Sequence, residues 1–279
     1  MSIAFTKMHG LGNDIMIVDL IRHPRAAELL DADRIRELAD RKTGIGFDQM
    51  MVIDSSPENE LDAAYRVFNA DGTSAQQCGN GVRCVALYLQ KFHSVGTSMK
   101  LGGPGEIVAC DVVNDGQVRV SMGIPTFEPS ALPFDPGAQP GPVYSLDTEA
   151  GPALFSVVSV GNPHAVLQVD DLSAAPVSET GAALNQHPAF SDGVNVGFAK
   201  IEQPDRVALR VFERGAGETA ACGSGACAAM VALRRRNQVL DSVQVVLPGG
   251  TLVISWRALS EPVLMTGPAA LVYEGNLTL

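Results

Sequence analysis

The chain has 279 residues, 46% hydrophobic and 18% charged, with a formal net charge of −11. That acidic balance excludes sequence-independent nucleic-acid binding, which needs a Lys/Arg surplus against phosphate, and no apolar run is long enough to span a bilayer. The length allows one large domain or two of about 100 to 150 residues.

Residues 1–9 lack the apolar core of a signal peptide, so a cytoplasmic protein is expected. Gly12-Asn13-Asp14 then reads as a turn feeding a strand over 15–18. A helix is predicted over 33–41, with Ile35 and Leu38 on one face. Gly46-Phe47-Asp48-Gln49 sets a glycine and an amide at the head of an apolar run, and 65–68 is a predicted strand. Another helix follows Cys78, and a further strand is predicted over 117–120.

Six prolines between Pro125 and Pro142, with Gly137 and Gly141, exclude a helix or central strand there. The boundary between two halves is placed near 122–124, giving domains 1–122, joined by 268–279, and 123–267. In the second half Gly161-Asn162-Pro163 feeds an apolar run over 165–169, and Gly193-Val194-Asn195 heads another. Strands are predicted over 207–212, 243–247 and 252–256. The helix after Cys222 runs into Arg234-Arg235-Arg236, basic residues that offset the dipole at a helix end.

The two halves repeat one another. FNADGTSAQQCGNGVRCVALYL at 68–89 returns as FERGAGETAACGSGACAAMVAL at 212–233, and the Gly-Asn turns and Gly-amide heads recur in the same order. The expected class is α+β, with two pseudo-symmetric strand-rich halves, each a barrel-like sheet around a central helix.

Each repeat sets a cysteine just before a helix start, Cys78 ahead of Gly79-Asn80-Gly81 and Cys222 ahead of Gly223-Ser224-Gly225. A helix start carries about half a positive charge and up to four unpaired N–H donors, so it stabilises a thiolate and binds a carboxylate. With one sulfur as thiolate and the other as thiol, a proton leaves one face of a carbon and another arrives at the opposite face, with no cofactor. Cys84, Cys110 and Cys227 lack this setting and read as packing residues. The odd cysteine count and the absence of CxxC argue against a disulfide framework and a zinc site.

Asn13, Gln49, Asn69, Asn162 and Asn195 lie at turns and strand ends, where an amide reaches a ligand. Glu213-Arg214 replaces Asn69-Ala70 of the first half and supplies one negative and one positive group, a pair suited to an ammonium and a carboxylate. His164, beside a repeated turn, is a candidate modulator of the thiols.

The chain resembles the diaminopimelate epimerase family. The resemblance is carried by Lys7-Met8-His9-Gly10-Leu11-Gly12-Asn13-Asp14, Gly44-Ile45-Gly46-Phe47-Asp48-Gln49, Phe68-Asn69-Ala70-Asp71-Gly72, Gln77-Cys78-Gly79-Asn80-Gly81 and Gly161-Asn162-Pro163-His164. It continues through Asn195-Val196-Gly197-Phe198, Glu213-Arg214-Gly215-Ala216-Gly217-Glu218-Thr219, Ala221-Cys222-Gly223-Ser224-Gly225 and Leu247-Pro248-Gly249-Gly250. It implies interconversion of LL- and meso-diaminopimelate by Cys78 and Cys222, with no cofactor and no metal. It also implies modulation of the thiols by His164 and Glu213, and a carboxylate held at the helix starts by Gly79, Asn80, Gly223 and Ser224. Recognition at the distal end falls to Asn69, Asn162, Asn195, Glu213 and Arg214, with Asn13 and Gln49 lining the site. It further implies a homodimer contacted through Tyr273. Ile15, where an aromatic is frequent, and Leu101-Gly102-Gly103-Pro104-Gly105, in place of a more polar turn, depart from the pattern.

Three other readings compete. A proline or hydroxyproline racemase of the same fold has no use for Glu213-Arg214. A thiol redox protein joining Cys78 and Cys222 needs no asparagine set. A pyridoxal-phosphate racemase needs a Schiff-base lysine, with only Lys7, Lys42, Lys91, Lys100 and Lys200 on offer.

Overall fold

A computed structural model describes residues 2–58, 60–75, 78–114 and 116–278, with Leu29 by its backbone alone; Gln77, which precedes the first cysteine in its motif, lies outside the described residues. The chain divides into two compact units, Met1–Ser121 with Thr266–Leu279, and Met122–Met265.

In the first unit β1 (Ser2–Gly10) and β2 (Asn13–Asp19) form an antiparallel hairpin. Its two-residue turn holds Leu11 and Gly12 at φ of +57° and +81°, the left-handed pair that matches strand twist and places Asn13 at the head of β2. A short 3-10 turn and α1 (Ala32–Ala39) carry the chain over to β3 (Gln49–Asp54), which runs parallel to β2 with Ile15 opposite Gln49. β4 (Ala63–Asn69) returns antiparallel, Asn69 opposite Gln49, and the short β5 (Ser74–Ala75) folds back on it.

After α2 (Gly79–Phe92) come β6 (Ser98–Gly103), parallel to β4, then β7 (Glu106–Asn114) and β8 (Gln117–Ser121) as a meander. The Pro104-Gly105 stretch is a tight hairpin, Gly103 opposite Glu106 and Gly105 at φ of +85°.

The second unit repeats this order. β9 (Tyr144–Thr148) pairs with β10 (Gly151–Ser159), which forms a hairpin with β11 (Pro163–Gln168). α3 (Val177–Asn185) leads to β12 (Asn195–Gln203), parallel to β11 with His164 opposite Asn195. β13 (Arg206–Glu213) returns antiparallel, the short β14 (Gly217–Thr219) folds back on it, and α4 (Gly223–Arg235) follows. β15 (Ser242–Leu247) runs parallel to β13 and pairs with β16 (Gly250–Ser255). β17 (Leu264–Pro268) leads the chain back to β18 (Ala270–Thr278), which pairs antiparallel with β1.

Each unit wraps its strands around one helix: α2 packs on β1, β2, β3, β7 and β8, and α4 on β10 to β13, β15 and β16. Both helices are built for that place. Every residue of α4 from Gly225 to Leu233 is buried, the all-round apolar pattern of a helix enclosed by protein. A Cβ at Gly81 would lie 2.5 Å from Met51 Sδ, so α2 sits too close to β3 for any side chain there. Of the basic residues ending α4, Arg235 lies over the Phe127 ring at 4.2 Å.

The outer faces of the parallel strands are covered too. Ile35 and Leu38 of α1 pack with Met16, Val18, Met50 and Val52, so β2 and β3 are apolar on both faces. Asp31 caps α1 by accepting from Arg34 N at 2.8 Å. In the second unit the proline-rich stretch is packed rather than loose: Leu132 and Phe134 are buried with Phe155 and Phe190, Phe134 stacking on Phe190 at 4.6 Å.

The strands and helices predicted from sequence are present within a few residues of their expected ends, but β1, β5, β6, β7, β9, β10, β14, β17 and the helix α3 were not anticipated. The Pro176 N-cap of α3 makes no side-chain bond, and Gly181 and Thr180 are poor helix formers. Its packing explains it: a Cβ at Gly181 would fall 2.5 Å from Phe212 Cβ and Cγ, so the glycine lets α3 lie directly on β13.

Candidate active site

Both cysteines cap their helices with extended backbone, Cys78 at φ −141°, ψ 101° and Cys222 at φ −116°, ψ 108°. The two sulfurs are served differently. Cys78, half-buried, accepts from Gly81 N at 3.2 Å, so the helix start does reach its sulfur. The sulfur also lies 3.8 Å from Asn13 Oδ1, which accepts from Asn80 Nδ2 at 3.3 Å.

Cys222 is buried, and its thiol donates to Glu213 Oε2 at 3.0 Å, with Ser224 Oγ at 3.6 Å. Burial pushes this thiol well above its ordinary value, the Glu213 charge and hydrogen bond add to the rise, and Ser224 and Gly225 N only partly offset them. Glu213 is held in turn by Thr219 Oγ1, which donates to Oε1 across the β13–β14 hairpin. Cys84 and Cys110 are buried thiols pushed up to about 12 by desolvation, which suits packing and not acid–base work.

The remaining first-unit candidates gather at the same end of the sheet. Gln49 heads β3 and donates from Nε2 to Asn69 Oδ1 at 3.2 Å, and Asn69 donates to Thr73 Oγ1 at 3.1 Å. Asn13 Nδ2 donates to Asp48 Oδ2 at 3.1 Å, and the same oxygen accepts Asp14 N at 2.8 Å. Arg41 bridges the two carboxylates, Nη1 to Asp14 at 2.5 Å and Nη2 to Asp48 at 2.6 Å. Burial raises the Asp14 carboxyl, but the Arg41 hydrogen bond and the Lys7 and Arg41 charges outweigh it and hold the group below its usual range.

In the second unit His164 is buried, and its Nε2 pairs with Asn162 Oδ1 at 2.9 Å. Desolvation lowers its pKa to about 3, so the ring is neutral. Asn195 Nδ2 donates to Pro163 O at 3.3 Å, while its Oδ1 accepts Arg214 N at 2.9 Å. Arg214 itself is exposed and donates from Nη1 to Asp192 O at 2.6 Å. The adjacent charges of Glu213 and Arg214 thus diverge, the carboxylate to a thiol and the guanidinium to a loop carbonyl.

Sequence reasoning missed Thr219, Asp48 and Arg83 as supports of the site. Arg83 is fully buried in α2 and donates from Nη2 to Asn80 Oδ1 at 2.7 Å and from Nε to Pro268 O at 3.2 Å. The signal available for it was a lone arginine in the otherwise uncharged run Gly79 to Leu89.

The fold alone gives a class. It is shared with a probable proline racemase from Agrobacterium radiobacter K84, at TM-score 0.70 and 16% identity over 99% of this chain and 93% of that one. It is shared also with a hydroxyproline epimerase from Agrobacterium vitis, at TM-score 0.69 and 16% identity over 99% and 92%. At the level of sequence, the family model described as diaminopimelate epimerase matches residues 5–128 and 156–272. Diaminopimelate epimerases of Ectopseudomonas mendocina (strain ymp) and Nitrosomonas eutropha (strain DSM 101675 / C91 / Nm57) are 45% and 44% identical, with 100% of each chain covered. This chain belongs to the diaminopimelate epimerase family.

Proposed function

We propose that the protein interconverts LL- and meso-2,6-diaminopimelate without a cofactor, with Cys78 and Cys222 as the acid–base pair. The observation that carries this reading is the duplicated helix-capping thiol, one at the same place in each unit. Cys222, donating its proton to Glu213 in a buried setting, is the acid of the resting enzyme. Cys78, with a backbone N–H on its sulfur, is the base. Its thiolate takes the α-proton, the electron pair of the C–H bond passes into the adjoining carboxylate as an enolate, and the Cys222 proton closes the bond from the other face. The sulfurs have then exchanged roles, so the reverse reaction uses the same groups.

The start of α2, with Gly79 and Asn80, and the start of α4, with Gly223 and Ser224, supply donors for the reacting carboxylate as negative charge builds on it. Asn13, Gln49, Asn69, Asn162 and Asn195 line the remainder of the substrate, and Arg214 grips the distal carboxylate. Glu213 combines control of the Cys222 thiol with recognition of the distal ammonium. His164, neutral by burial, tunes a cysteine without adding charge.

Tyr273, 44% exposed on β18 and edge-on to Phe5 at 6.0 Å, marks the homodimer surface of this reading. Among the described residues no helix is long and apolar enough to cross a membrane. The reading is of a cytoplasmic enzyme acting in lysine and peptidoglycan-precursor biosynthesis, the role that family membership suggests.

The deciding experiment incubates purified protein with LL-diaminopimelate in deuterated water and no added cofactor. Formation of the meso isomer with one deuterium at the inverted carbon is expected; inversion with full retention of hydrogen, or none at all, defeats the proposal.

A further inference from the structure

One hydrogen-bond chain in the first unit has its direction fixed from both ends. Arg83 Nη2 donates to Asn80 Oδ1 at 2.7 Å, Asn80 Nδ2 to Asn13 Oδ1 at 3.3 Å, and Asn13 Nδ2 to Asp48 Oδ2 at 3.1 Å. A guanidinium only donates and a carboxylate only accepts, so neither amide between them turns over without losing bonds at both of its ends. The side of Asn13 left facing Cys78 is therefore its oxygen, 3.8 Å from Sγ.

We infer that Asp48 is a positioning residue for Cys78: by holding the Asn13 amide in one orientation it presents an acceptor to the sulfur, which favours the protonated thiol and makes the thiolate a stronger base. An acceptor at a thiol disfavours its anion, whereas an amide N–H at the same place would stabilise the anion. Asp48 is well placed for this work. Arg41 clasps it at 2.6 Å, and its own N–H donates to Asp14 O at 3.0 Å, so it moves little.

The second unit has no counterpart, since Val194 stands before Asn195 where Asp48 stands before Gln49, and Cys222 meets a carboxylate instead of an amide. Among the described residues, the charged and titratable groups around the Cys78 end of this unit include Asp48 and Arg41 before β3, Lys7, His9 and Asp14 on β1 and β2, Arg83 and Cys84 on α2, and Tyr65 on β4. The inference rests on the reading of Cys78 as an acid–base group, but its test reads chemical modification, not turnover, and so fails or succeeds separately.

The test is the pH profile of Cys78 alkylation by iodoacetamide in the full-length protein, resolved peptide by peptide with mass spectrometry. Asp48→Asn leaves the chain anchored at the Arg83 end alone and offers Asn13 a donor as well as an acceptor, so the Asn13 amide reverses part of the time and the profile is expected to move to lower pH, with faster alkylation at neutral pH. Asn13→Ala removes the acceptor without touching the charge at position 48 and is expected to move the profile the same way. In that background Asp48→Asn should then add nothing. A shift that persists in the double variant means that Asp48 acts through its charge alone, and overturns the inference. So does an unmoved profile in folded Asp48→Asn; should circular dichroism show that variant unfolded, an unmoved profile in Asn13→Ala does the same.

Discussion

Cys222 and Glu213 form a thiol–carboxylate pair, with Sγ 3.0 Å from Oε2 at the point where β13 ends and α4 begins. A buried thiol whose acceptor is a carboxylate keeps its proton, because ionisation would set two negative charges side by side in a poorly solvated place. Glu213→Gln removes the charge and leaves the shape. Burial remains, so the Cys222 alkylation profile should move to lower pH without reaching that of an exposed thiol. Epimerisation should fall by about a hundredfold or more, the size of a general acid–base contribution. A Cys222 profile identical to wild type would remove Glu213 from control of this thiol.

Thr219 acts on the same pair from behind. Losing a hydrogen bond to a charged group costs about 1.5 to 3 kcal/mol, and a carboxylate with one donor fewer holds the Cys222 proton more tightly. Thr219→Val should therefore move the Cys222 profile to higher pH and lower kcat by about ten- to a hundredfold, that energy expressed as a rate, with little change in KM. Thr219→Ser, which keeps the hydroxyl, should restore both.

The neutral state of His164 has a consequence for acid stability. Its pKa in the folded protein is about 3, below about 6.5 for the unfolded chain. The unfolded chain therefore takes up the proton first as pH falls. The stability tied to the neutral ring is complete above pH ~6.5 and is lost progressively toward pH 3. Urea midpoints of the wild type and His164→Gln, compared from pH 7 down to 4, should converge or cross; parallel curves would mean that the fold does not lower the His164 pKa.

Alkaline stability runs the other way. Burial raises Cys84 and Cys110 to about 12, so the unfolded chain loses those protons first, and their contribution is intact below pH ~9 and declines as pH climbs toward 12. Cys84→Ala should flatten that decline in a urea series, although the cavity it leaves lowers stability at neutral pH.

Gly181→Ala tests the packing of α3. The added methyl would meet Phe212 at 2.5 Å, so helix and strand must part, at about 1 to 3 kcal/mol for an overpacked contact. A thermal midpoint lower by several degrees is expected, together with reduced kcat, because Phe212 adjoins Glu213. An unchanged melt would show that α3 has slack.

The sequence made the doubled part of the molecule readable. Cys78 and Cys222 stood at matched offsets before glycine-led helices, and Asn13, Gln49, Asn162 and Asn195 stood at strand heads whose apolar runs were plain. The pairings between side chains were not readable, because they depend on register. Asn13 meets Asp48, 35 residues away, since the parallel match of β2 and β3 brings both strand heads to one level. Thr219 reaches Glu213 because glycines at 215 and 217, at φ of +81° and +78°, fold β14 back onto β13. Glu213 and Arg214 read as one charged pair, yet β13 ends at Glu213 and Arg214 opens the turn that follows, so the carboxylate meets Cys222 and the guanidinium meets Asp192 O. α3 escaped because tertiary packing and not local propensity holds it.

The pairing of β18 with β1 sets an order of assembly. The strand that completes the first unit emerges from the ribosome only after the whole of Met122–Met265. Until then β1 presents an unsatisfied edge, and a chain stalled or truncated short of Ala270 is left with that edge open to pairing with other chains.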